Sequence, residues 1–179
     1  CYHVILKEGL VLSPIVGFSY TKWDWETRTG YQTSIDPVTF YIGPQEAGGV
    51  LYQEELYVPY IGLALSGLRP SRALDFHVYA LYSPLARCDD EDDHVFRSKF
   101  ILGEADGSFL SLGGDLRWKV NRSWSVVSNV TYTHYDLRGE QQQYFYAGTN
   151  PPVGTIYTGI DLKIEGSQTY FGLMITYEF

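Results

Sequence analysis

From Leu10 onward the even positions Leu10, Leu12, Pro14, Val16, Phe18 and Tyr20 are mostly apolar, and the odd ones include Ser13, Gly17, Ser19 and Thr21. Alternation of period two marks a strand with one apolar and one polar face, because successive side chains of an extended chain point to opposite sides. This strand is expected to run through Trp23-Asp24-Trp25-Glu26, where the apolar positions change face. A second strand is expected over residues 50–66, with Pro59 an awkward guest in its middle. The third puts Leu74, Phe76, Val78, Ala80 and Tyr82 on one face and Asp75, His77 and Tyr79 on the other. The fourth, 95–120, sets Leu110, Leu112, Leu116 and Trp118 against Ser111, Asp115, Arg117 and Lys119. In the fifth, Trp124, Val126, Val130 and Tyr132 alternate with Ser125, Asn129, Thr131 and Thr133. The last carries Thr169, Phe171, Leu173, Ile175, Tyr177 and Phe179 on one face. No helical period appears.

The connections alternate in length: short at 7–9, 68–71 and 119–123, longer at 30–49, 87–94 and 139–154. Short turns at one end, long loops at the other and strands well beyond the usual five or six residues describe an antiparallel transmembrane β-barrel, with a soluble β-sandwich as the lesser reading. Six full strands and the tail of one more at residues 1–6 fall short of the roughly eight of the smallest single-chain barrels. Six strands alone would leave unpaired edges in lipid. The expectation is one domain over 1–179, an up-and-down barrel truncated at the N-terminus, with Phe179 as a natural end.

Composition agrees. Sixteen tyrosines among 16% aromatic residues suit membrane interfaces, where a ring is half apolar and half wet. A net charge of -8 argues against nucleic acid, which needs a basic face. Two cysteines are too few for a disulfide framework, and the strand that directly follows Cys1 argues against a lipid anchor there. Nothing in the sequence calls for an obligate oligomer.

The candidate chemistry sits in Cys88-Asp89-Asp90-Glu91-Asp92-Asp93-His94, read as a long hairpin tip. In Asp92-Asp93-His94 the outer two side chains share a face on an extended chain, so Asp92 can orient His94 as a general base. A solvated acidic turn explains the same residues without chemistry. A calcium loop lacks the required spacing and glycine. A zinc site lacks paired histidines, since His3, His77, His94 and His134 are scattered. Trp23 and Trp25 are expected in an interfacial girdle, and His77 and His134 in hydrogen-bond networks of the lumen.

Val58-Pro59-Tyr60-Ile61-Gly62-Leu63, the strand pair after it, the acidic tip at Asp90–His94, Arg97-Ser98-Lys99 and the aromatic end together resemble the omptins, outer-membrane endopeptidases built as ten-stranded barrels. The resemblance covers about Leu10 to Phe179. It implies that Asp92 and His94 match the catalytic pair, and that Asp90 matches an acid of the pocket for a basic substrate side chain. Omptins hold the attacking water between this pair and two further aspartates, and typically cleave peptides and proteins between basic residues. The two further aspartates have no counterpart here, so the chain by itself is expected to be inactive. The resemblance implies no cofactor or metal, outer-membrane lipid as surroundings and loops at the cell surface. Omptins also bind lipopolysaccharide through basic groups on the outer wall. Lys22 matches one such position, but Glu55 stands where arginine is usual. A non-enzymatic outer-membrane barrel, an adhesin or small pore binding partners through its loops, is the alternative.

Overall fold

In the computed structural model the described residues are 4–7, 9–27, 30–33, 39–42, 49–67 and 73–177. Cys1, His3, the expected turn at 68–71 and Phe179 lie outside them. The strands are β1 (Val4–Lys7), β2 (Leu10–Thr27), β3 (Gly30–Thr33), β4 (Thr39–Ile42), β5 (Val50–Gly67), β6 (Leu74–His94), β7 (Lys99–Lys119), β8 (Trp124–Phe145) and β9 (Ile156–Tyr177). One antiparallel sheet runs in the order β1-β2-β5-β6-β7-β8-β9, and β3 and β4 form a separate hairpin inside the expected loop at 30–49. Six of the sheet's strands are long, and β1 is a short seventh of four residues. β1 and β9 are the sheet's two edges and do not pair with each other, so the sheet is open.

Burial distinguishes the two faces. Leu56, Val58, Ala86, Cys88, Ala105 and Leu137 form the buried core, with Phe109, Tyr135, Leu162 and Ile164 against it. Their registers put all of these on one face, the inner one. The opposite, outer face shows Val16, Ile61, Leu63, Val78, Leu112, Leu116, Phe171, Leu173 and Ile175 to the surroundings. Such a band of uncovered apolar side chains is what lipid requires of a barrel wall.

Above the band the outer face becomes charged: Tyr20 gives way to Lys22, Tyr57 to Glu55, and Leu85 to Arg87. β6 has 21 residues, about 70 Å of extended chain, whereas the apolar band of such a wall is about 25 Å tall. Even with tilt, its acidic end therefore lies beyond the apolar band.

The apparent change of face at Trp23 has a different cause from a kink. β2 pairs with β5 without interruption from Leu10↔Gly67 to Thr27↔Val50, so its odd residues face inward throughout. What changes is the surroundings: the outer wall leaves the lipid and turns polar, while the inner face gains tryptophans.

The many tyrosines also have a second use. Tyr60, Tyr79 and Tyr135 lie over the cross-strand glycines Gly17, Gly113 and Gly166 on the inner face, where any Cβ would collide with the ring. Aromatic rings laid over glycine fill the lumen without crowding the backbone.

Candidate active site

Simple alternation along β6 would put His94 on the lipid side with Leu74 and Tyr82. A register shift between Ser83 and Ala86 prevents this. Ser83 pairs with Phe109 but Ala86 with Gly107, so β6 carries one residue more than its partner across Pro84-Leu85. Such a bulge changes the phase of the alternation. Asp75, His77, Tyr79 and Ser83 face inward below it, and Ala86, Cys88, Asp90, Asp92 and His94 face inward above it. The ladder to β5 is interrupted at the same level, between Tyr57 and Ile61, and Pro59 falls in that gap. The two prolines, which have no N–H to donate, thus occupy the one irregular stretch of the β5–β6 pairing.

The acidic stretch is not a loop. β6 continues to His94, and the connection is a single 3-10 turn, Val95–Arg97, closed by Ser98 in the left-handed conformation. A strand fixes what a loop would leave open: Asp90, Asp92 and His94 are on one side, and Asp89, Glu91 and Asp93 on the other. Two of the outer three are engaged there, Asp89 with Arg87 at 2.8 Å and Asp93 accepting from the Tyr146 hydroxyl at 2.8 Å.

On the inner face His94 Nε2 lies 2.9 Å from Asp92 Oδ2, with side chains 22% and 21% exposed. A carboxylate on Nε2 leaves Nδ1 to accept a proton. Asp92 Oδ1 and Asp90 Oδ1 are buried without a hydrogen-bond partner among the described residues. Lys99 stands opposite His94 and reaches Gln143 Oε1 at 3.4 Å. Burial, then the nearby Arg97, holds the Lys99 ammonium below its ordinary pKa, with Asp92 opposing.

Two rows cross the strands at this height. In one, Trp23, Glu54, Asp90, Gly103 and Gln141 are successive cross-strand partners; in the other, Trp25, Tyr52, Asp92, Ile101 and Gln143. Burial, then the Glu54 and Asp92 carboxylates, raises Asp90 above its ordinary pKa, the Gly103 backbone amide pulling the other way. The Tyr52 hydroxyl donates to Glu54 Oε2 at 2.8 Å, and the Trp25 ring lies 5.1 Å from the Tyr52 ring. Below these rows the apolar core of Leu56, Cys88, Ala105 and Leu137 forms a floor. Among the described residues no group of three or more His, Cys, Asp or Glu is placed to hold a metal ion.

Two of the sequence expectations are corrected. Trp23 and Trp25 belong to no girdle; they share the inner face with Asp92 and His94. His134 is on the outer wall, its Nδ1 2.9 Å from Ser167 Oγ. His77 does face the lumen, 3.3 Å from Asp115. Glu54 was not among the expected site residues because it sits beside Glu55, and only the register shows that Glu54 faces Asp90 while Glu55 faces out to Lys22 at 3.4 Å.

The family model for the omptin family matches residues 2–177. The chain belongs to the omptin family, a family of outer-membrane proteases. No curated protein sequence matches it. Among solved structures it is similar to the outer membrane protease OmpT from Escherichia coli, with a TM-score of 0.68 at 15% identity, covering 98% of this chain and 60% of that one. It is also similar to the ferric yersiniabactin uptake receptor FyuA from Yersinia pestis, with a TM-score of 0.51 at 13% identity, covering 96% of this chain and 24% of that one. At these identities the likeness is one of fold. The chain of this omptin spans about 60% of the length of the OmpT chain.

Proposed function

We propose that a closed barrel containing this chain is an endopeptidase whose site faces the outside of the cell, the chain alone being inactive without the second aspartate pair, and that Asp92 and His94 activate the water that attacks the peptide bond. His94 takes the proton from water at Nδ1, and Asp92 orients the ring and stabilises its charged form. Asp90 holds a cationic side chain next to the scissile bond. The hydroxide adds to the carbonyl carbon, and His94 returns the proton to the leaving amine.

The observation that carries this reading is the 2.9 Å Asp92–His94 contact on the inner face, above the apolar band and over an apolar floor. A solvated turn would have no reason to bury carboxylate oxygens of Asp90 and Asp92 beside an imidazole. On the outer wall Lys22 is already paired, with Glu55 at 3.4 Å and Asp24 at 3.7 Å, so this position offers little free positive charge to lipopolysaccharide. Activity is therefore expected to depend weakly on lipopolysaccharide, and no cofactor enters the reaction.

The test is to incubate the intact protein in detergent with a peptide carrying one Arg-Arg pair and to map the products by mass. Cleavage at the basic pair is expected. An intact peptide after prolonged incubation, with and without added lipopolysaccharide, would instead favour a barrel that only binds its partners.

A further inference from the structure

We propose that Trp23 and Glu54 complete the cation subsite around Asp90 and make it select arginine over lysine. This rests on the reading of Asp90 as the residue that receives a basic side chain, and it adds a discrimination that the acid alone cannot supply.

Trp23 is directly opposite Glu54, and Glu54 is directly opposite Asp90, so an indole and two carboxylates succeed one another across β2, β5 and β6 on one face. Directly opposed residues have Cβ atoms about 5 Å apart, which brings the three within one side chain's reach. Trp23 faces inward yet is 41% exposed, and no ring covers it among the described residues. Trp25, one row higher, is in contact with Tyr52, and the Tyr52 hydroxyl in turn fixes one oxygen of Glu54 at 2.8 Å. That contact leaves Glu54 little freedom to turn away from Asp90, and the Cys88 thiol beneath it is a second hydrogen-bonding neighbour of the same carboxylate. Asp90 contributes a buried oxygen without a partner, in space that exists because residue 103 is glycine.

A guanidinium matches this arrangement better than an ammonium. Its plane can lie on the indole while its edge presents several N–H donors, enough to meet Glu54 and Asp90 together. The lysine ammonium is a compact, strongly hydrated charge that gains less from stacking and cannot bridge two carboxylates in one plane. Stacking on an incompletely covered indole together with one additional charged hydrogen bond corresponds to a preference of about tenfold.

The test measures binding apart from cleavage, using the intact protein in detergent with His94→Ala. Two fluorescent peptides, identical except for an Arg-Arg or a Lys-Lys pair, are titrated by anisotropy. About tenfold tighter binding of the arginine peptide is expected. Adding Trp23→Ala should bring the ratio close to one, Trp23→Phe should keep part of it, and the outer-wall Trp118→Ala should leave it unchanged. Equal affinities with Trp23 present, or a preference that survives Trp23→Ala, overturn the subsite. A Trp23-dependent preference in a protein whose wild type cuts neither peptide supports the subsite and overturns the protease. Binding of neither peptide overturns both.

Discussion

Gly103 stands opposite Asp90, and a methyl group on its α-carbon would collide with the Asp90 carboxylate and crowd the Leu162 side chain. The obstacle is a movable side chain, so Gly103→Ala should still give a folded barrel. Asp90 would have to swing out of its place, and displacing a binding group by about 1 Å can cost about a hundredfold. Cleavage of a dibasic peptide should fall at least tenfold, mainly through KM, with the folded signal by circular dichroism retained. Gly139→Ala is the contrast. Its Cβ would collide with the Glu104 carbonyl oxygen, which is backbone, so that variant should fail at folding, seen as loss of the heat-resistant form on gels.

The raised pKa of Asp90 fixes the direction of a pH effect. Only the ionised carboxylate holds a cation, so binding of a basic peptide should weaken on acidification at a pH above the ordinary carboxylate value. Glu54→Gln removes a negative neighbour and should move that midpoint to lower pH, while also lowering the plateau affinity. For stability the sign is opposite. A carboxylate with a raised folded-state pKa costs stability as pH rises from its unfolded value through its folded one. Asp90→Asn should remove that loss, measurable as thermal unfolding followed across this window.

Four tryptophans separate the two faces. Trp118 and Trp124 lie on the outer wall, 53% and 46% exposed, and Trp124 packs against Tyr177 with ring centroids 4.8 Å apart. Single-tryptophan versions reconstituted with brominated lipid should show strong quenching for Trp118 and Trp124. Trp23 and Trp25, facing inward above the band, should be quenched weakly. Strong quenching at Trp25 would return it to the girdle and remove it from the site.

Much of the wall could be read from the sequence, because lipid enforces alternation on it. Leu110, Leu112, Leu116 and Trp118 must all face out, and the same holds for Phe171, Leu173 and Ile175. Above the band that constraint ends, and so did the legibility. The extra residue at Pro84-Leu85 reverses the phase of β6 with no signal stronger than a proline, so the inner position of His94 needed the pairing with β7. Likewise Trp23 and Trp25 carry the composition of a girdle, and only the unbroken register with β5 shows them to face the other way. The Asp92–His94 pairing itself was legible, since two residues' spacing on an extended chain puts side chains on one face whatever the phase. Glu54 was not, because neighbouring acids on a strand look alike until each has a partner.

The proposed role of His94, held by Asp92, as the base that activates water is measured most directly by cleavage of an Arg-Arg peptide by the intact protein and by His94→Ala and Asp92→Asn, each verified as a folded barrel. Loss of the general base should lower kcat by about a hundredfold to ten-thousandfold while peptide binding is kept, and Asp92→Asn should fall in the same range. Cleavage by His94→Ala at the wild-type rate would contradict the account, and the acidic row of β6 would then be a charged wall without a catalytic base.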